Sequence, residues 1–330
     1  MKKIKFLVLT LCAILAITSL TSCKKSSQDA PPEKKYFTVT FDSNGGSEVQ
    51  SLKIAEGGKA SKPQNPQRDN YIFEYWTYNS REWSFEVDTV KSDITLVAKW
   101  IEASDVYSYE PISETENKIT GVKKRLESML VPNVIGGKTI TAIGDGVFEN
   151  TQSENTKSIV LSETVTSVGK AAFKDCFDVE ITVKGQIVEV GEQAFLNCNT
   201  LKEVNFGEGL TTVPFEAFKG CSALTELSLP ASLLTIDENA FEDCSALSAI
   251  IMHTTLATVN DGAFDGASAL EAIYFYGKKA DINNISISEN NEDFYNTIKQ
   301  NSFFYSKDKP SNSGDYWYFN EKGKIRIWDK

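Results

Sequence analysis

Phe148, Phe173, Phe195, Phe218, Phe241 and Phe264 recur along this chain at intervals of 25, 22, 23, 23 and 23 residues. Their surroundings recur with them, as in Ile143-Gly144-Asp145-Gly146-Val147-Phe148, Val190-Gly191-Glu192-Gln193-Ala194-Phe195 and Ile236-Asp237-Glu238-Asn239-Ala240-Phe241. A short unit that cannot bury its apolar face alone must stack on copies of itself, so a fixed period of this length predicts a solenoid. It also moves the search for function from a catalytic pocket to a displayed surface.

With 330 residues, 41% hydrophobic and 24% charged, the chain can bury a sizeable core and build about two or three domains. The formal net charge is −11, and residues 138–280 hold 20 acids against 9 bases. Such a surface repels phosphate backbones and anionic lipid, which argues against a nucleic-acid partner.

Lys2, Lys3 and Lys5 precede an apolar run over residues 6–20, shorter than a membrane-spanning helix and closed by small residues. This reads as an export signal over residues 1–22. Its end, Leu20-Thr21-Ser22-Cys23, resembles the lipobox of bacterial lipoproteins. That resemblance implies cleavage before Cys23 and diacylation of its thiol, an anchor gaining about 0.8 kcal/mol per buried methylene. The alternative is an ordinary secretion signal with an incidental cysteine. Residues 23–35, polar and containing Pro31-Pro32, read as a disordered tether. The expected location is the bacterial cell envelope, at the outer membrane or cell surface, with the lipid at Cys23 as the sole membrane contact. No strong acidic patch follows Cys23, which leaves the outward or periplasmic orientation open.

Residues 36–102 form a separate unit. Phe37-Thr38-Val39-Thr40-Phe41 alternates like a strand and enters Asp42-Ser43-Asn44-Gly45-Gly46, whose Asn-Gly-Gly suits a turn with positive φ. Pro63, Pro66, Arg68, Tyr71, Phe73 and Trp76 follow, then Asp93-Ile94-Thr95-Leu96 with Ala98 and Trp100. This pattern resembles the Listeria–Bacteroides repeat, also called the internalin B-repeat, which implies a small β-grasp module common as a spacer in surface proteins. The family usually has glycine where Asn70 and Tyr75 stand; Asn tolerates a left-handed backbone, whereas Tyr75 is expected to alter a turn. Trp76, Trp83 and Trp100 are expected in the core of so small a β-domain rather than on a sugar-stacking surface.

Within the repeats, Leu224-Thr225-Glu226-Leu227-Ser228-Leu229-Pro230 and Leu201-Lys202-Glu203-Val204-Asn205-Phe206 alternate like strands, each followed by a Thr-rich stretch and the Phe motif. This predicts one short strand per coil and a helical or turn segment on the other face. The array resembles the leucine-rich repeats of the Bacteroides surface-antigen A type, also seen in treponemal surface proteins. Residues 131–138 are similar to that family's capping unit. The family implies a right-handed solenoid with a parallel sheet on one face, and non-catalytic protein binding. The fold expected is therefore mainly β with short helical segments: the β-grasp-like module, a linker and capping unit over residues 103–137, repeats over 138–280, and a β-rich C-terminal cap over 281–330.

Cys176, Cys198, Cys221 and Cys244 each lie three residues after a ladder Phe, in a slot that Thr151 and Ala267 fill in the end units. Such a slot wants a small, semi-polar residue, and the wide gaps lack the close pairs of a zinc site. Buried free thiols are expected, with disulfides between stacked neighbours as the rival. No metal and no cofactor is expected.

Outward strand positions form two rows, Ser158, Glu180, Glu203, Glu226, Ala249, Ala272 and Val160, Thr182, Asn205, Ser228, Ile251, Tyr274. Glu180, Glu203 and Glu226 make an acidic file, with repulsion of about 0.9 kcal/mol per neighbouring pair in water before screening. Ile251 and Tyr274 make the far end apolar. The face reads either as a solvated acidic surface or as a docking surface for a basic or amphipathic protein; Glu180, Glu203, Glu226, Asn205, Ser228, Ile251 and Tyr274 are its candidate residues. A cation held between the glutamates is a third option.

His253, the only histidine, falls in a turn slot, and no nucleophile motif, phosphate loop or dinucleotide fingerprint accompanies it. An enzyme is not expected. Residues 281–330 leave the repeat phase, and Phe303-Phe304-Tyr305, Tyr316-Trp317-Tyr318-Phe319 and Ile325-Arg326-Ile327-Trp328 read as three strands, the last two joined by a turn at Asn320-Glu321-Lys322-Gly323. Such an ending caps a solenoid edge. Its aromatics Tyr316, Trp317, Tyr318 and Trp328 are the alternative site, for a glycan or captured nutrient. The expected function is adhesion to a host-matrix or neighbouring-cell protein.

Overall fold

The structure is a computed structural model that describes residues 34–310 and 314–328. The chain divides at Lys35/Tyr36, and everything described beyond Lys35 belongs to the unit Tyr36–Lys330. The signal peptide, Cys23 and nearly all of the tether lie outside the described residues.

The first sheet is mixed and five-stranded. Tyr36–Asp42 pairs with Leu52–Ala55 antiparallel and with Ile94–Glu102 parallel, and Tyr71–Tyr78 and Arg81–Glu82 complete it beyond Ile94–Glu102. Parallel first and last long strands give the β-grasp-like arrangement. Asn44 and Gly45 adopt positive φ, and a Cβ on Gly46 would lie 2.5 Å from the Trp100 ring, so the turn needs this glycine. Trp76 and Trp83 are buried, and Phe41 meets Trp76 edge to face at 4.9 Å. Trp100 is half-buried and donates its indole N–H to the Ser43 carbonyl at 3.0 Å. Tyr75 follows a register shift after Phe73, so the departure from glycine there coincides with a bulge.

Asn70 has φ 67, the left-handed conformation for which the pattern usually employs glycine. It also ties the module to the repeats. Its N–H donates to the Val134 carbonyl at 3.0 Å, its carbonyl accepts from Ala103, and its side-chain oxygen accepts from the Gly137 N–H. Residues 103–137 continue this union: Ala103–Val106 is one helical turn, and Tyr107–Pro111 with Glu116–Val122 forms a hairpin. Ala103, Val106, Tyr107, Ile119, Met129, Val131 and Ile135 lie in one apolar core with the repeats.

Each complete coil carries two short strands, not one. The expected strands stack in parallel as Ser128–Leu130, Ser158–Leu161 and Glu180–Val183, then as Glu226–Ser228, Ala249–His253 and Ala272–Tyr276. The Thr-rich stretches form a second ladder: Lys138–Ile143, Ser167–Val168 and Glu189–Val190, then Thr212–Val213, Thr235–Ile236 and Thr258–Val259. Thr, Val and Ile at these positions favour extended backbone, which is why the second ladder forms where a turn was expected. Both ladders are interrupted in one place. Residues 201–205 carry no strand, and Phe206 meets Ile187 in an isolated bridge instead. The interruption follows the shortest coil, between Phe173 and Phe195.

The Phe motif is a tight turn with two left-handed positions. One, two residues before Phe, holds Gly146, Ala171, Gln193, Glu216, Asn239 and Gly262; the other, two residues after it, holds Asn150, Asp175, Asn197, Gly220, Asp243 and Gly266. The six rings are buried and stack along the axis with centroids 5.0–5.3 Å apart. Bonds run between coils in both directions. The N–H groups of Phe148, Phe173, Phe195, Phe218 and Phe241 donate to the carbonyls of Ala172, Ala194, Ala217, Ala240 and Ala263 in the following coil at 2.7–2.8 Å. The thiols of Cys176, Cys198, Cys221 and Cys244 donate backwards to the carbonyls of Phe148, Phe173, Phe195 and Phe218 at 3.1–3.3 Å. These cysteines are free and buried. The slot therefore takes a small side chain, with a donor in every unit but the last, where Ala267 fills it.

The repeat phase does not end at residue 281. Ser286–Ile287 extends the second ladder and Ser302–Tyr305 the first, while the helix Glu292–Gln300 replaces the turn. Periodicity misses this coil because the helix lengthens it. Tyr316–Phe319 and Ile325–Ile327 then form the expected hairpin, with the Asn320 N–H bonded to the Lys324 carbonyl at 2.9 Å.

Candidate functional site

Strand register generates the two outward rows directly. Glu180 lies opposite Ser158 and Thr182 opposite Val160; beyond the interruption, Glu226 pairs with Ala249, and Ser228, Ile251 and Tyr274 align in sequence. Glu203 and Asn205 sit in the stretch without a strand, exposed, while Val204 and Phe206 between and after them are buried. The acidic file is thus divided: Glu180 belongs to a three-stranded sheet, and Glu226 to the six-stranded sheet that ends in the C-terminal hairpin.

The C-terminal hairpin folds back over this face. Trp317 meets Tyr274 at 5.6 Å, Tyr276 at 4.9 Å, Tyr305 at 5.1 Å and Phe319 at 5.1 Å, ring centroid to ring centroid. Its indole N–H points at the Phe275 carbonyl, 3.4 Å away. Coils and hairpin enclose a groove of about 730 Å³. Glu203 and Glu226 stand on the coil side, beside Lys202; Lys324 and Arg326 belong to the hairpin, with Ile251, Tyr274, Phe319 and Ile325 as apolar lining. Asn205 and Ser228 line it too, so six of the seven expected face residues come together and Glu180 does not. The hairpin's cations are what sequence reasoning missed, because nothing local in Lys324 or Arg326 says which strands they will face. Burial, and then the nearby Glu226 carboxylate, raise the Tyr274 hydroxyl above its ordinary pKa.

The residues of the alternative aromatic site are drawn into the same packing. Trp317 is fully buried as the roof pin of the hairpin and presents no ring face to a sugar. Tyr318 and Trp328 stack on each other at 4.0 Å, and Tyr316 is half-buried. His253 ends the strand Ala249–His253 rather than sitting in a turn, and its ring stacks on Tyr276 at 4.4 Å. Burial lowers its pKa against a smaller raising effect from Glu208.

A second cavity, of about 520 Å³, lies where the module meets the first coils, between Trp76 and Trp83 on one side and Glu127 and Lys157 on the other. The indole N–H groups of Trp76 and Trp83 are buried without an acceptor among the described residues. Among the described residues no group of three or more His, Cys, Asp or Glu is placed to hold a metal, and no helix is long and apolar enough to cross a membrane.

Sequence comparison matches the BspA-type leucine-rich repeat region in six copies over residues 126–214 and 179–293, about half of the chain. Residues 37–99 match the Listeria-Bacteroides repeat domain. Two proteins of Evansella cellulosilytica named as membrane proteins share similarity. One, described as Gly-rich, is 32% identical over 101 residues, covering 30% of this chain and 12% of that protein. The other is 35% identical over 71 residues, covering 21% and 11%. The chain thus spans about a tenth of the length of these relatives. A T. pallidum leucine-rich repeat protein superposes with a TM-score of 0.48 at 17% identity, over 60% of this chain and 96% of that one. A leucine-rich cell surface protein from Faecalibacterium prausnitzii A2-165 does so with a TM-score of 0.47 at 20% identity, over 68% and 60%.

Proposed function

The chain belongs to the BspA-type leucine-rich repeat family, and from that membership we propose that it is a non-catalytic binding protein of the bacterial cell surface, lipid-anchored at Cys23 and docking a protein partner on its sheet face. The observation that carries the reading is the groove between the coils and the C-terminal hairpin, where Glu203, Glu226, Ile251 and Tyr274 face Lys324 and Arg326. Charged walls around an apolar floor orient a protein ligand and reject ligands that would leave those charges desolvated and unpaired. The partner class is a host-matrix or neighbouring-cell protein. A glycan reading is the weaker one, because the ring at the centre of the aromatic cluster is buried.

The test is binding of the mature chain to an array of purified matrix proteins and, in parallel, to a glycan array. Salt-sensitive protein binding that falls about tenfold or more on Glu203→Lys with Glu226→Lys supports the reading. Unchanged affinity removes this face, and a glycan signal in its place overturns the choice of partner. Palmitate labelling abolished by Cys23→Ala tests the anchor, and protease shaving of intact cells tests outward display.

A further inference from the structure

The groove's coil wall is net acidic, with Glu203 and Glu226 beside Lys202, and its hairpin wall carries Lys324 and Arg326, yet among the described residues none of these five takes part in an ion pair. Elsewhere on the same coils lysines do find acidic neighbours, as in Lys170–Glu192 at 2.6 Å and Lys219–Glu242 at 2.6 Å. These five charges are therefore held apart and exposed to water. Any occupant that covers them strips that water, and the cost is offset only if it brings the opposite sign to each wall.

We propose that the groove holds an extended peptide segment bearing a cationic side chain toward Glu203 and Glu226, a carboxylate toward Lys324 and Arg326, and an apolar residue between them against Ile251 and Tyr274. This rests on the surface-binding reading above and deepens it. A volume of about 730 Å³ is that of a site for a short segment rather than a folded domain. A neutral glycan answers neither wall. At Tyr274 one ring face is already taken by Phe303, stacked at 5.5 Å. A polyanion satisfies the hairpin and is repelled by the coils. Only a chain with both signs on an apolar body matches all three parts.

The experiment pans a random hexapeptide display library on the full chain at low salt, then measures the leading peptide in synthetic form. Enriched sequences should carry Lys or Arg and Asp or Glu on opposite sides of an apolar residue. Glu203→Gln with Glu226→Gln should weaken the leading peptide about tenfold or more, and that loss should vanish when the peptide's cation is replaced by norleucine. Lys324→Gln with Arg326→Gln should behave the same way toward the peptide's carboxylate. Circular dichroism melts of these surface variants check that the fold is kept. No enrichment, enrichment of singly charged or neutral sequences, or indifference to both double variants overturns the proposal. If protein ligands still lose binding on charge reversal at Glu203 and Glu226 while no peptide is enriched, surface docking stands and the peptide groove falls.

Discussion

Phe264 and Phe294 stack with centroids 4.6 Å apart and planes 11° from parallel, although one comes from a turn and the other from the helix Glu292–Gln300. Position in the stack, not local conformation, is what the core demands. At the opposite end Tyr107 closes the file edge-on against Phe148 at 6.3 Å. The two ends of the stack are thus finished by different elements, a hairpin tyrosine and a helical phenylalanine.

Phe218 is buried between two parallel rings, at 5.2 and 5.3 Å. Phe218→Ala should cost about 3–5 kcal/mol through lost burial and the cavity left behind. Phe294→Ala, with a ladder ring on one side only, should cost less and lower amide protection chiefly in the last coil. Urea unfolding and hydrogen exchange measure both, and equal midpoints for wild type and Phe218→Ala would count against the stack as the source of stability.

Asn291 ends the ladder of backbone bonds. Its side-chain oxygen accepts from the Phe264 N–H at 3.0 Å where earlier coils use an alanine carbonyl, and its amide donates to the carbonyls of Asn260, Ser288 and Glu289. Asn291→Ala strands a buried donor, so a loss of about 1–3 kcal/mol is expected. Asn291→Gln should not restore it, since the longer side chain displaces the amide from four partners at once.

Burial raises the Cys198 and Cys221 thiols and pushes Cys244 up to about 12. An ordinary thiol titrates near 8.5, so the unfolded chain releases protons that the folded chain keeps. Their contribution to stability is complete below about pH 8.5 and declines as pH rises toward 12. Urea midpoints should fall across that window, and less steeply when these three positions carry Ala, as Ala267 does in the last unit. The four ladder thiols should react with a thiol reagent only after denaturation, without reductant; two or none would mean disulfides.

Ala171 has φ 52 in a slot where Gly146 and Gly262 serve other coils. A left-handed L-residue costs about 1–2 kcal/mol, and glycine's extra unfolded-state entropy returns about 0.5–1 of that. Ala171→Gly should therefore be neutral or stabilising by up to about 1.5 kcal/mol, whereas the neighbouring buried Ala172→Gly should destabilise. Thermal melts of the pair would refute this if Ala171→Gly were the more damaging.

Period and slot made much of this legible: the stack, the buried thiols and the outward rows follow from residue spacing, while the form of the module before them was implied by its resemblance to the Listeria–Bacteroides repeat. The left-handed column Asn150, Asp175, Asn197, Gly220, Asp243 and Gly266 was equally readable, since Asn, Asp and Gly share only their tolerance of positive φ. Other features carry no local signature. Phe294 is hidden by a helix that stretches the period. Trp317 looks like a surface aromatic until Tyr274, Tyr276 and Phe319 close around it, and Lys324 and Arg326 acquire meaning only from strands about a hundred residues earlier.

Because each coil gives its Phe N–H to the coil after it and its thiol to the coil before it, the array has a direction and a unit of exchange. Removing or copying a whole turn, such as residues 218–240, lets every one of these bonds be remade with a new neighbour. A single-residue insertion leaves both donors out of phase. The length of such a molecule is quantised, and lineages that gain or lose entire turns alter the reach between the module at one end and the groove at the other while each junction stays chemically the same.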